Sequence, residues 1–273
     1  MLDYGKHSVL GIGVDAIDYD SAVEKIIDGA KAKRAMTVTA LAVHGVMTGV
    51  LDREYQYRLN QFDLVCPDGQ PVRWALNSLH AKRFAGGKLS DRVYGPELTL
   101  RLCEAAAKQD VTVFLFGATE EMLSRFATKL GERFEGLQIV GQRASAFRQI
   151  TSQERDDLAA EIIASGAQMC FVGLGCPRQE IFAYEMRERL PMPLIAVGAA
   201  FAFHAGVLKQ APPWMQRSGL EWLFRLTREP GRLWRRYLYL NPTYVTLLAL
   251  QKIGLYRKST DGGKPPQDEL LFG

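Results

Sequence analysis

For the first two hundred residues, short strand-like runs alternate with helix-like ones, and that alternation leaves few architectures open. Residues 8–14, 36–41, 64–66, 111–116, 138–141, 169–174 and 194–197 read as strands. Amphipathic stretches lie between several of them. In 21–32, Val23, Ile26, Ile27 and Ala30 recur at helical spacing, with Asp20 or Ser21 as the cap. The span 43–60 repeats the pattern, and further helices fit 97–108, 120–134 and 152–165. Parallel strands need helical crossovers, so the expected body over 1–212 is α/β: a mostly parallel sheet with helices on both faces. Ligands of such sheets sit in the loops beyond the strands' C-terminal ends.

Beyond Pro212-Pro213 the character changes. Two or three helices without intervening strands are expected over 213–258, and 259–273, rich in Gly, Pro and polar residues, reads as a disordered tail. The net charge of +4 is concentrated in this region. From Arg217 to Lys258, nine basic residues stand against Glu221 and Glu229, while the preceding body is close to neutral. Trp222, Trp234, Arg235 and Arg236 belong to an interleaving of aromatic and basic side chains that suits an anionic membrane surface. No apolar run approaches the roughly 20 residues that span a bilayer. The four cysteines are scattered and no export signal is visible, which points to a reduced compartment and a peripheral protein on the cytoplasmic face of the inner membrane.

Several loops can carry chemistry. In Cys66-Pro67-Asp68-Gly69-Gln70-Pro71, Asp68 follows a strand, where it either aims a carboxylate into the ligand crevice or caps the helix beginning near Pro71. Thr39 ends another strand. Arg92 precedes a helix, a position for either an anion contact or a solvated side chain. Gly117-Ala118-Thr119 offers backbone amides to phosphate or ribose, and Gln179 lies in the junction Gly173-Leu174-Gly175-Cys176-Pro177-Arg178-Gln179-Glu180. Gly11-Ile12-Gly13-Val14-Asp15-Ala16 matches a dinucleotide fingerprint, but the acid expected at the end of the next strand is missing, so a nicotinamide-dependent oxidoreductase is a weak alternative. A non-catalytic basic module is another, disfavoured by the crowded loops of the body. The four histidines are isolated and no metal-ligand spacing is readable, so neither a metal nor another cofactor is expected.

Thr37-Val38-Thr39-Ala40, Pro67-Asp68-Gly69, the Gly173–Glu180 junction, Ala211-Pro212, Gly219-Leu220-Glu221-Trp222-Leu223-Phe224-Arg225-Leu226 and Glu229-Pro230-Gly231-Arg232-Leu233-Trp234-Arg235-Arg236-Tyr237 resemble, in order and spacing, the WecG/TagA/CpsF glycosyltransferases. The resemblance covers roughly residues 8–240. It implies a Rossmann-like body and metal-independent inverting transfer from a UDP-sugar to a polyprenyl-pyrophosphate-linked sugar. It makes Asp68 the base, places Thr39, Arg92 and Gln179 at the site, and sets Arg225, Arg228, Arg232, Arg235 and Arg236 among the cations that close over the donor pyrophosphate. Two positions depart from the family pattern: Leu41 stands where Asn is common, and Ala202 where many members have Asp. The runs around Ala40–Met47 and Pro67–Trp74 look most like the xanthan-type exopolysaccharide branch, which implies a β-1,4-linked glucose. The second expectation is N-acetylmannosamine or its uronic acid.

Overall fold

A computed structural model describes residues 1–273, apart from the side chains of Arg232 and Arg236. The chain opens with β1 (Asp3–Val9) and β2 (Ile12–Ile17), an antiparallel hairpin, where the sequence pattern suggests one strand. The reason is local: Leu10 and Gly11 both take positive φ (55° and 86°), the twist that a two-residue hairpin turn requires. The Gly11–Ala16 fingerprint therefore lies in a hairpin and opens no helix. Its Asp15 is buried, accepts the Val65 amide at 2.7 Å and pairs with Lys6 at 2.9 Å.

α1 (Tyr19–Lys31) follows, capped by Asp18, whose carboxylate accepts from the Ser21 amide; the cap lies two to three residues earlier than the periodicity suggests. Next come β3 (Met36–Leu41), α2 (Val43–Leu51), α3 (Arg53–Asn60), β4 (Leu64–Pro67) and α4 (Gln70–His80). The single helix expected over 43–60 is broken at Asp52, which is extended and accepts from the Glu54 and Tyr55 amides, so a side-chain cap displaces helix continuation. The body continues through α5 (Gly95–Lys108), β5 (Val113–Gly117), α6 (Glu120–Arg133), β6 (Ile139–Arg143), α7 (Ser152–Ala164), β7 (Met169–Gly173), α8 (Arg178–Met186), β8 (Pro193–Ala196) and α9 (Gly198–His204).

The six strands β3 to β8 form one parallel sheet in the order β4-β3-β8-β7-β5-β6. Strict alternation divides the core between its faces. Val65, Phe114, Phe116, Cys170 and Val172 pack with residues of α2, α3, α4, α7 and α8, whereas Leu64, Cys66, Val113, Leu115, Met169 and Phe171 pack with residues of α1, α5, α6 and α9.

Three helices follow: α10 (Pro213–Arg217), α11 (Glu221–Arg228) and α12 (Pro230–Lys252). α12 packs on α2 and α4; its Leu233 and Tyr244 are buried, and Tyr244 donates to the Pro71 carbonyl at 3.1 Å. Among the described residues, no helix is long and apolar enough to cross a membrane. The segment 259–273 differs from the disordered tail that its composition suggests. The side chains of Gln56 and Asn60 donate to the Ser259 and Thr260 carbonyls, the Leu270 and Leu271 amides donate to Glu185, and the Ile150 amide donates to the Leu271 carbonyl. These bonds join the tail to α3, α7's approach and α8, partners that are distant in sequence and invisible to a local reading.

Candidate active site

Asp68 stands one residue past β4, its amide donating to the Leu41 and Cys66 carbonyls at 3.2 and 3.0 Å. Gly69 at φ +81° turns the chain into α4 and is itself the N-cap, without a side-chain cap bond. Asp68 therefore does not cap that helix. Its carboxylate instead faces the first turn of α5, where it accepts the Gly95 amide. Gly95 fits because it has no side chain: a Cβ there would lie 3.2 Å from Ala40 Cβ and 3.6 Å from Asp68 Oδ2.

Asp68 keeps some exposed surface yet is crowded by protein, and burial pushes its carboxyl up to about 7. Arg92, the Gly95 amide and Arg225 pull in the opposite direction, while Glu221 adds to the upward push. A carboxylate poised near neutrality suits general-base work.

Arg92 is buried beside it, but its guanidinium is engaged by the C-terminal helices. It donates to Glu221 Oε2 at 2.8 Å and to Gln216 Oε1 at 3.0 Å, and lies over the Tyr94 ring at 4.0 Å. Tyr94 donates its hydroxyl to the other Glu221 oxygen at 2.9 Å. Next to this cluster a cleft of about 270 Å³ is lined by Phe203, Val207, Leu208 and Lys209 on one side and by Arg225, Arg228 and Glu229 on the other. A cavity of about 500 Å³ between the hairpin, α3 and the tail is roomier but lies away from Asp68, and its Lys6 and Asn60 are already hydrogen-bonded within the protein. The smaller cleft gathers cations of α11, of which Arg225 also acts on the Asp68 carboxyl.

The sequence matches the glycosyl transferase WecG/TagA/CpsF family over residues 7–258. This chain belongs to that family. It is a glycosyltransferase. It is 30% identical over 220 residues to the N-acetylglucosaminyldiphosphoundecaprenol N-acetyl-beta-D-mannosaminyltransferase of Bacillus subtilis, covering 80% of each chain. It is likewise 30% identical over 215 residues to the enzyme of the same name from Bacillus spizizenii, covering 78% of each.

The remaining sequence-predicted residues of the transferase divide by what they touch. Thr39 is fully buried and donates to Glu180 Oε1 at 3.0 Å, so its hydroxyl points into the protein. Gln179 donates to the same oxygen at 2.8 Å, and its carbonyl accepts the Gly175 and Gly198 amides at 3.1 and 2.8 Å. The two residues thus tie strand β3 and the loops after β7 and β8 together around one buried carboxyl, which burial raises above its ordinary range. Gly117 brings β5 against β7: a Cβ would sit 2.7 Å from the Gly173 carbonyl carbon. Leu41 is a core residue packed against Gly45, and Ala202 is partly buried in α9. Arg225 and Arg228 line the cleft. The calls on Arg232 and Arg236 concern side chains outside the described residues. Trp222, Trp234 and Arg235 are exposed on the C-terminal helices.

Local reasoning assigns no role to Tyr94, Gln216 or Glu221. Glu221 stands inside the Gly219–Leu226 motif, but an acid in a basic segment gives no local sign of an Arg partner 129 residues away.

Proposed function

We propose that this glycosyltransferase moves an N-acetylmannosamine-type sugar from a UDP donor to N-acetylglucosamine carried on polyprenyl diphosphate, at a membrane surface. The observation that carries the reading is the placing of the Asp68 carboxyl just past the C-terminal end of β4, against the first turn of α5 and within the field of Arg225. Ionised, it accepts the proton of an acceptor hydroxyl as that oxygen bonds to the anomeric carbon and the bond to UDP breaks. Attack from the face opposite UDP inverts the anomeric centre, and the proton ends on Asp68. Arg225 and Arg228, which line the cleft, stabilise the negative charge that grows on the departing diphosphate.

The sugar rests on the relatives, both named as N-acetylmannosaminyltransferases acting on an N-acetylglucosaminyl-diphosphate lipid. They support the second of the two sequence expectations and lend nothing to glucose or to an exopolysaccharide role. Membrane docking is supported by exposed Trp222, Leu223, Trp234, Leu238 and Tyr239 with Arg235, the composition of an interfacial surface.

The test is transfer from radiolabelled UDP-N-acetylmannosamine and from UDP-glucose to short-chain lipid-diphosphate-N-acetylglucosamine, in excess EDTA. The expected outcome is transfer of the first sugar only, with Asp68→Asn slowed about 10²–10⁴-fold. Preferred use of glucose, dependence on added divalent metal, or near-normal turnover by Asp68→Asn would each overturn the corresponding part.

A further inference from the structure

The acid in the basic segment is placed to organise the cations around it. Glu221 is the first residue of α11, and Arg225 and Arg228 follow at i+4 and i+7, so all three share one helix face. Trp222, Leu223 and Leu226 occupy the other side, with Trp222 39% and Leu223 40% exposed. One short helix thus separates a face turned to the cleft from a partly exposed apolar face that meets α12 through Trp222 and Tyr237.

Fixing Glu221 fixes which face looks inward. Its two oxygens are held by different residues of the body, Oε2 by Arg92 at 2.8 Å and Oε1 by Tyr94 at 2.9 Å, which defines both position and rotation. Gln216 on α10 gives Arg92 a second acceptor at 3.0 Å. The turn between α10 and α11 passes Gly219 at φ +72°, where a Cβ would lie 2.6 Å from the Trp74 ring, so the linker is seated closely on α4. α11 has no buried residue of its own; it packs on α12, with the Trp222 and Tyr237 rings edge-to-face at 5.8 Å, and the Glu221 clamp adds polar ties to the body.

We propose that Glu221 is a positioning residue, clamping α11 to Arg92 and Tyr94 so that Arg225 faces the Asp68 carboxylate and Arg228 lines the donor cleft. The inference rests on the transferase reading above, with Asp68 as base. The negative charge of Glu221 has a second effect: with Arg92 held between two carboxylates, Asp68 does not have that guanidinium to itself and stays closer to neutrality.

The experiment compares wild type, Glu221→Gln and Glu221→Ala in the full chain by donor KM, kcat and the pH dependence of kcat/KM, with near-UV circular dichroism as the check of fold. Glu221→Gln keeps one acceptor oxygen but removes the charge. Its acid limb is expected at lower pH by about half a unit to one unit, with kcat/KM within about 10-fold of wild type. Glu221→Ala releases the clamp and is expected to raise donor KM and lower kcat/KM about 10²-fold, with an unchanged near-UV spectrum. An unmoved acid limb together with an unchanged donor KM in both variants overturns the proposal. So does an activity loss in Glu221→Ala that is matched by loss of the near-UV spectrum while Glu221→Gln behaves as wild type in every reading. A wild-type enzyme inactive with every UDP-sugar instead overturns the transferase reading itself, so the two failures are distinguishable.

Discussion

The loops of the α/β body and the three C-terminal helices use their polar side chains in opposite ways. In the body, Thr39 and Gln179 both donate to one oxygen of Glu180 inside the protein, and Gln179 also holds two backbone amides. On α11, which has no buried residue, Arg225 and Arg228 face a cleft. Such a division teaches where catalytic charge is affordable. A cation inside the sheet's loops would need a permanent counter-ion, as Arg92 has in Glu221, whereas a surface helix can present cations to a ligand that supplies the neutralising charge. On the proposed reading, the base belongs to the loops of the sheet and the leaving-group cations to the peripheral helix.

If the division is right, Arg225→Ala has the largest consequence: kcat should fall about 10²–10³-fold in a single-turnover transfer assay, with the fold intact. A loss below about fivefold would place the leaving-group charge elsewhere and erase the contrast. The body should respond to the loss of an internal partner in the opposite currency. Replacing Glu180 with Ala leaves the Thr39 hydroxyl and the Gln179 amide without their buried acceptor, at a cost of about 1–3 kcal/mol each at most, read as a lower urea midpoint. Unchanged stability would show that these loops are not held by that network.

The partly exposed apolar face of α11 sharpens the comparison further. Trp222→Ser with Leu223→Ser should reduce flotation with anionic vesicles severalfold and leave transfer to a water-soluble short-chain acceptor within about twofold. Equal losses in both assays would mean that the two faces are not separate.

The smallest effect is thermodynamic. Asp68 holds its proton more tightly in the folded chain, at about 7 against the ordinary 3.8, so its contribution to stability falls as pH rises between those values and stays reduced above them. Asp68→Asn removes the ionisation. It should therefore melt a few degrees above wild type at pH 8, an effect limited by the partial exposure of Asp68, and show little difference at pH 4. An inactive variant with raised stability would mark Asp68 as a functional group kept at the fold's expense.

A truncation after Pro213 is a poorer test of the C-terminal helices than their sequence suggests. It would also remove buried Leu233 and Tyr244 and the tail's bonds to Glu185, so lost activity would be confounded with an opened core.

The sequence determined by itself the strand and helix alternation, because periods of 2 and 3.6 are local properties, and with it the parallel sheet. Asp68 after its strand, the basic aromatic character of the C-terminal helices and the family motifs were legible on the same basis. Local chemistry also explains two of the misses, since the Leu10-Gly11 turn and the Asp52 cap are short-range features overridden in a periodicity count. Only tertiary structure decided which polar groups meet. Thr39 could not be seen to turn inward, because Glu180 lies 141 residues further on. Arg92 could not be assigned to Glu221, nor the tail to α3 and α8, for the same reason. A hydrogen bond depends on atoms within about 3 Å, and for these pairs that proximity is created by the packing of the sheet and helices, with no counterpart in the spacing of residues along the chain.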